Sequence, residues 1–120
     1  MIGEIAAIGI GGAAGAVLRF GANEFVTRML GSQFPWGILL VNVAGSLLMG
    51  CCYVLLVERQ WVDETWRAGL MVGLLGAFTT FSTFSIQTLQ LMQQGRLLAA
   101  GGYCIASVGL CVFAAGVGML

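Results

Sequence analysis

Between Gly76 and Ser85 the chain places five hydroxyl side chains and three phenylalanines in ten positions, Gly76-Ala77-Phe78-Thr79-Thr80-Phe81-Ser82-Thr83-Phe84-Ser85. A helix that faces lipid has no use for such a density of hydroxyls. Phe78, Phe81 and Phe84 recur every third residue, which predicts one helical row of rings with hydroxyls between them. Hydroxyls donate hydrogen bonds, and phenyl rings present an electropositive edge. Any one Ser or Thr could instead bond back to the carbonyl four residues earlier, and an aromatic row alone could be packing. Gly76 followed by β-branched threonines predicts a local break in the helix. The carbonyls freed there need protein, a cavity or an ion to satisfy them.

Two further polar groups interrupt apolar runs. Asn42 lies deep in Ile38-Leu39-Leu40-Val41-Asn42-Val43-Ala44-Gly45-Ser46, with Ser46 one turn later on the same face. It is either glue between helices or a donor lining a polar path. Tyr103, Ser107 and Cys111 follow at i, i+4 and i+8 and form a polar stripe. No carboxylate occurs from Met29 to Val57 or from Ala68 onwards. Cation pores favour acids or rings of carbonyls, so a track of donors and ring edges without acids suits a small, strongly hydrated anion. The chain has no histidine or lysine, which removes the commonest proton shuttle and the Schiff-base nucleophile. Classical enzyme catalysis is thereby disfavoured.

These groups must be positioned by elements that live in lipid. Of 120 residues, 59% are apolar and 8% charged, against about 25% charged in a soluble domain. Charge marks the ends of membrane spans, and on that basis four transmembrane helices are expected, at residues 2–25, 35–57, 68–93 and 97–119, in a single domain. Glu4 and Arg19 interrupt the first, but they stand about 22 Å apart along a helix and can snorkel to opposite interfaces. That segment lacks a basic leader and carries Glu4, so it reads as a span and not as a cleaved signal peptide. Cys51, Cys52, Cys104 and Cys111 lie in apolar runs without metal-binding spacing and read as small buried residues. Gly11 with Gly15, Ser46 with Gly50, and Gly69 with Gly73 have the small-xxx-small spacing of close helix packing. Five arginines balance five acids with no basic run, which argues against nucleic acid as a partner.

Arginine bias in the loops normally sets orientation. Here Arg59 and Arg67 fall at the end that holds both termini, Arg28 and Arg96 at the other, and Arg19 within the first span. Such balance permits both orientations, and an antiparallel two-fold dimer is expected from it.

Three segments together resemble the Fluc (CrcB) fluoride channels of bacteria: Gly11-Gly12-Ala13-Ala14-Gly15-Ala16-Val17-Leu18-Arg19-Phe20, Pro35-Trp36-Gly37-Ile38-Leu39-Leu40-Val41-Asn42-Val43-Ala44-Gly45-Ser46, and Gly73-Leu74-Leu75-Gly76-Ala77-Phe78-Thr79-Thr80-Phe81-Ser82-Thr83-Phe84. The resemblance runs the length of the chain. It implies an all-α membrane protein with four transmembrane helices per chain, the third broken near its middle, in an antiparallel dual-topology homodimer. This dimer would sit in the bacterial inner membrane and export fluoride passively through two pathways built from both subunits. Phe81 and Phe84 would face the ion with their ring edges, Asn42 would donate from the second span, and Ser82 and Thr83 would lie nearby. Tyr103 and Ser107 would continue the track on the fourth span, where Cys111 stands at a position expected to hold a hydroxyl. A structural sodium ion on the dimer axis would be held by main-chain carbonyls of Gly76 and Thr79 from each subunit. Arg19 matches the first-span arginine, with a structural or vestibule role.

Two other classes compete. A small dual-topology multidrug exporter should carry a membrane-embedded glutamate, for which Glu4 is the only candidate. A membrane scaffold or assembly factor would need no polar stripes. The arginine balance yields a direct expectation: cysteines introduced at the termini should be labelled by impermeant reagent from both faces of the membrane. Labelling from one face only would remove the antiparallel dimer.

Overall fold

Helix stops are sparse in this chain, and the helices run as far as the stops allow. The structure is a computed structural model that describes all residues, Met1–Leu120. Helix α1, Ile2–Leu30, ends at Gly31, whose φ of 89° only glycine adopts freely. The helix runs past the end of the span expected at 2–25 and carries Arg28 on its last turn, because nothing between Phe25 and Leu30 breaks a helix. Helix α2 occupies Trp36–Glu58, opened by Pro35, and its last six residues, Tyr53–Glu58, widen into π-type turns.

The next span covers Glu64–Gln93 in two pieces. Its first piece, α3, opens at Glu64 with the Asp63 carboxylate accepting the Trp66 N–H at 3.1 Å, an N-cap that also favours the helix dipole. It passes through π-type turns at Ala68–Leu75 and ends with Gly76–Phe78. Thr79 and Thr80 are extended, at φ −88°, ψ 155° and φ −151°, ψ 123°. Helix α4, Phe81–Gln93, then begins, and Gly95 at φ 77° turns the chain into α5, Leu97–Gly118. Gly76 itself remains helical, at φ −61°, ψ −40°. Because two extended residues separate Phe78 from Phe81, the expected single row of three rings does not form.

The helices associate as two close pairs. A Cβ added to Gly11 would collide with the Gly69 carbonyl, one on Gly15 with the Leu74 carbonyl, and one on Gly73 would lie 2.6 Å from the Ile8 carbonyl. Thus α1 and α3 meet backbone to backbone, as small-residue spacing allows in lipid. On the other side α2 meets α5, where Gly50 abuts Ala115 and Gly118 abuts Leu47. The pairs join at Gly37, which abuts Asn23 of α1, and at Gly45, against which Thr79 and the Phe78 ring press. A small cluster of Leu39, Leu91, Ala100 and Tyr103, flanked by Phe34 and Phe84, fastens α4 to α2 and α5.

Only 16 of 120 residues are buried within one chain. Water could not tolerate the apolar surface that remains. All four spans are long and apolar enough to cross a membrane, and the longest dimension, 48 Å, matches a bilayer with its headgroups. The molecule is a multi-pass membrane protein. The backbone contact of α1 with α3 predicts that Gly15→Ala lowers stability by about 1–3 kcal/mol through overpacking. Gly21→Ala, which meets open space, should leave thermal unfolding in detergent unchanged. Equal unfolding of both variants would contradict the close approach.

Candidate functional site

Asn42 is the centre of the polar interior. Its Nδ2 donates to the Thr80 carbonyl at 3.1 Å, and its Oδ1 accepts the Thr80 N–H at 2.8 Å. One side chain on α2 therefore takes both main-chain groups of an extended residue 38 positions away. Thr80 is buried, and its Oγ1 caps α4 by accepting the Thr83 N–H at 3.3 Å. The same Oγ1 lies 3.2 Å from Thr83 Oγ1 and 3.4 Å from Ser82 Oγ. The hydroxyls of Ser82 and Thr83 thus join a network around Thr80.

These bonds have a consequence for two carbonyls. In a continuous helix the Thr80 N–H would reach the Gly76 carbonyl and the Thr83 N–H the Thr79 carbonyl. Both amides are spent on side-chain oxygens, those of Asn42 and Thr80. Gly76 and Thr79 are left with main-chain oxygens lacking their usual donors. No group of three or more His, Cys, Asp or Glu is placed to hold a metal.

Beside Asn42 a cavity of about 390 Å³ opens at mid-span. Its polar lining is Asn42, Ser46, Thr79, Thr80, Ser107 and Cys111, and the rings of Phe81 and Phe84 complete one wall. The two rings stand 5.4 Å apart, tilted by 50°. Ser107 is 7% exposed, and its Oγ has no hydrogen-bond partner. Burying a hydroxyl unpaired is costly, which sets Ser107 apart from the bonded hydroxyls of Thr79, Thr80 and Thr83. No charged side chain lines the cavity.

Tyr103 lies one turn before Ser107 and is fully buried. Its OH donates to Gln87 Oε1 at 2.8 Å, and its ring packs 5.0 Å from Phe84 and edge-on against Phe34 at 5.4 Å. With Leu39, Leu91 and Ala100 it makes a thin layer. Beyond that layer lies a second, polar cavity of about 710 Å³, lined by Asn23, Glu24, Thr27, Gln33, Gln87, Gln90, Gln94 and Arg96 among others. Arg96 Nη1 donates to the Gln33 carbonyl there.

The structure thus brings Asn42, Phe81, Phe84 and Ser107 to one cavity, with Ser82 and Thr83 in the adjoining network and Tyr103 in the layer behind. Arg19 lines neither cavity and makes no ion pair. Sequence reasoning missed Gln87 and the amide-lined basin. A signal existed, since Gln87, Gln90 and Gln94 fall at i, i+3 and i+7 on one helical face. It also missed Thr80, whose capping role depends on a partner from another helix.

A four-span membrane protein with an uncharged, donor-lined cavity at mid-span is the class these features define. A family model described as CrcB-like protein, Camphor Resistance (CrcB), matches residues 6–119. The chain is 45% identical over 105 residues to a protein of Shewanella amazonensis named fluoride-specific ion channel FluC, covering 88% of this chain and 84% of that one. It is 47% identical over 117 residues to a protein of the same name from Magnetococcus marinus, covering 98% and 95%. With one from Hahella chejuensis it shares 42% over 112 residues, covering 93% and 88%. The chain belongs to the CrcB family, also called Fluc.

The Tyr103–Gln87 bond joins a buried phenol to an amide on the wall of the polar basin. Tyr103→Phe should cost about 1 kcal/mol, and Gln87→Leu about 1–3 kcal/mol through the stranded phenol. Combining them should cost less than the sum in a double-mutant cycle of detergent unfolding. Strict additivity would show the pair uncoupled.

Proposed function

We propose that this protein is a fluoride-specific channel of the bacterial inner membrane, through which fluoride leaves the cell passively. It is a channel and not an enzyme. The observation that carries the reading is the mid-span cavity, where an amide, hydroxyls and two phenyl rings meet without any charged group. Donors and ring edges replace part of the hydration shell of a small anion, and the absence of acids spares it repulsion. The relatives' printed name, fluoride-specific ion channel, supports the choice of ion. The exporter reading is weaker because Glu4 lies in the first turn of α1, far from the cavity. Ser107, left without a partner, speaks against a mere scaffold.

The working unit in this reading is an antiparallel homodimer with two pathways. Phe81 is 77% exposed in one chain, and Ser82 and Ser85 beside it are exposed as well. Hydroxyls at mid-span are poorly suited to lipid, and a second copy would cover them. The balanced arginines allow that copy to be inverted. On the shared axis the Gly76 and Thr79 carbonyls of both subunits would hold a structural sodium ion, which neutralises converging oxygens and ties the subunits together. The diverted amides of Thr80 and Thr83 support this fit. The amide-lined basin with Arg96 forms one mouth of each pathway.

Reconstituted dimers should release fluoride from liposomes and retain chloride. Phe81→Ile and Phe84→Ile keep apolar bulk and remove the ring edge. A loss of even about 1.4 kcal/mol of contact in the barrier slows flux roughly tenfold, so both variants should lose most fluoride flux while the dimer still assembles. Phe78→Ile, on the far side of the two extended threonines, should be milder. Wild-type flux in assembled Phe81→Ile and Phe84→Ile would end the ring-edge mechanism, and equal chloride release would end the selectivity.

A further inference from the structure

We infer that Asn42 is the positioning residue of the cation cage, so that the anion route and the structural cation depend on one side chain. This inference rests on the sodium reading above. The Asn42 amide makes two bonds, and both replace bonds that a continuous helix would make. Its Oδ1 takes the Thr80 N–H at 2.8 Å, otherwise due to the Gly76 carbonyl, and its Nδ2 supplies the Thr80 carbonyl at 3.1 Å, otherwise supplied by the Phe84 N–H. Thr80 Oγ1 does the same for the Thr79 carbonyl by taking the Thr83 N–H at 3.3 Å. Asn42 thereby releases one carbonyl and Thr80 the other.

Removing the amide leaves the Thr80 N–H without a partner in a lipid-embedded protein, where each such group costs several kcal/mol. The nearest remedy is local: Thr79 and Thr80 return to helical angles, and Gly76 recovers its donor. In an inverted dimer this withdraws an oxygen from each subunit. Asn42 also lines the mid-span cavity, and its second Nδ2 hydrogen is not used in bonding Thr80. One amide therefore faces the anion with a donor and holds the cage open with its acceptor.

The two roles separate by substitution. Asn42→Ala loses both; Asn42→Asp keeps an oxygen for the Thr80 N–H and, in assays at a pH that keeps it ionised, loses the donor. The purified full-length dimer would be melted in detergent across a sodium chloride series, with choline chloride holding ionic strength constant. Fluoride efflux from liposomes would be measured on the same proteins. Wild-type protein should show a saturable rise of Tm with sodium. Asn42→Ala should raise the half-saturating sodium concentration by roughly 10- to 100-fold, as loss of a residue that orients metal ligands does. Asn42→Asp should restore the sodium response to the wild-type range while fluoride efflux stays low. Val108→Ala, in the same cavity wall but remote from these bonds, should keep the wild-type sodium curve. Should Asn42→Ala not assemble, Asn42→Asp and Thr80→Val carry the comparison, and Thr80→Val should weaken the sodium response by returning the Thr83 N–H to Thr79.

An assembled Asn42→Ala with the wild-type sodium curve would overturn the inference, as would an Asn42→Asp that loses the sodium response. A wild-type protein that conducts fluoride with no sodium response would instead remove the cage itself, and the inference with it. The wild-type curve therefore judges the sodium reading, and the variants judge Asn42.

Discussion

A helix that crosses lipid cannot release its main-chain groups without giving them other partners, and here the other partner is Asn42. Its paired bonds to Thr80 let two residues leave the helix at a depth where water cannot help. Much of the interior follows from that exchange. The redirected chain starts α4 at Phe81 and sets the Phe81 and Phe84 rings beside one another. It presses Thr79 and Phe78 onto Gly45, one of the points where the two helix pairs join. Gly45 has to be glycine because a methyl group there would occupy the place of the Thr79 side chain.

The second constraint is close backbone packing. Lipid supplies little drive for helices to associate, and the chain answers with glycine at the contacts between α1 and α3 and between α2 and α5. The larger side chains are left for the single layer around Tyr103. That layer separates the amide-lined basin from the mid-span cavity by little more than one ring. The division of labour is clear in the residues: glycine holds the frame, and aromatic side chains partition the interior.

That the chain holds four long apolar helices was legible because charges and turn residues separate its apolar runs, although the helices themselves run on past Glu24 and Arg28 and begin before Arg67. The hydroxyl-rich run was legible because it is out of place in an apolar segment. Family membership was legible from three ordered motifs. What could not be read were features decided between helices. The run around Gly76 suggested a departure from helix, yet Gly76 keeps helical angles, and the extended residues are the two threonines that Asn42 and the Thr80 cap stabilise. Phe78 looked equivalent to Phe81 and Phe84 by spacing alone, but helical periodicity holds only while the helix does. The bond from Tyr103 to Gln87 joins side chains on different helices. Local pattern carries no record of such a pairing.

Ser107 keeps a hydroxyl with no fixed acceptor in an otherwise packed wall. Such a group is a rotor: its proton can swing about the C–O bond at little cost, because no existing bond must be broken first. In the proposed pathway, the proton would track an anion moving along the wall and return to rest behind it. The same swing would serve an ion arriving from either direction, so this part of that pathway would impose no one-way bias.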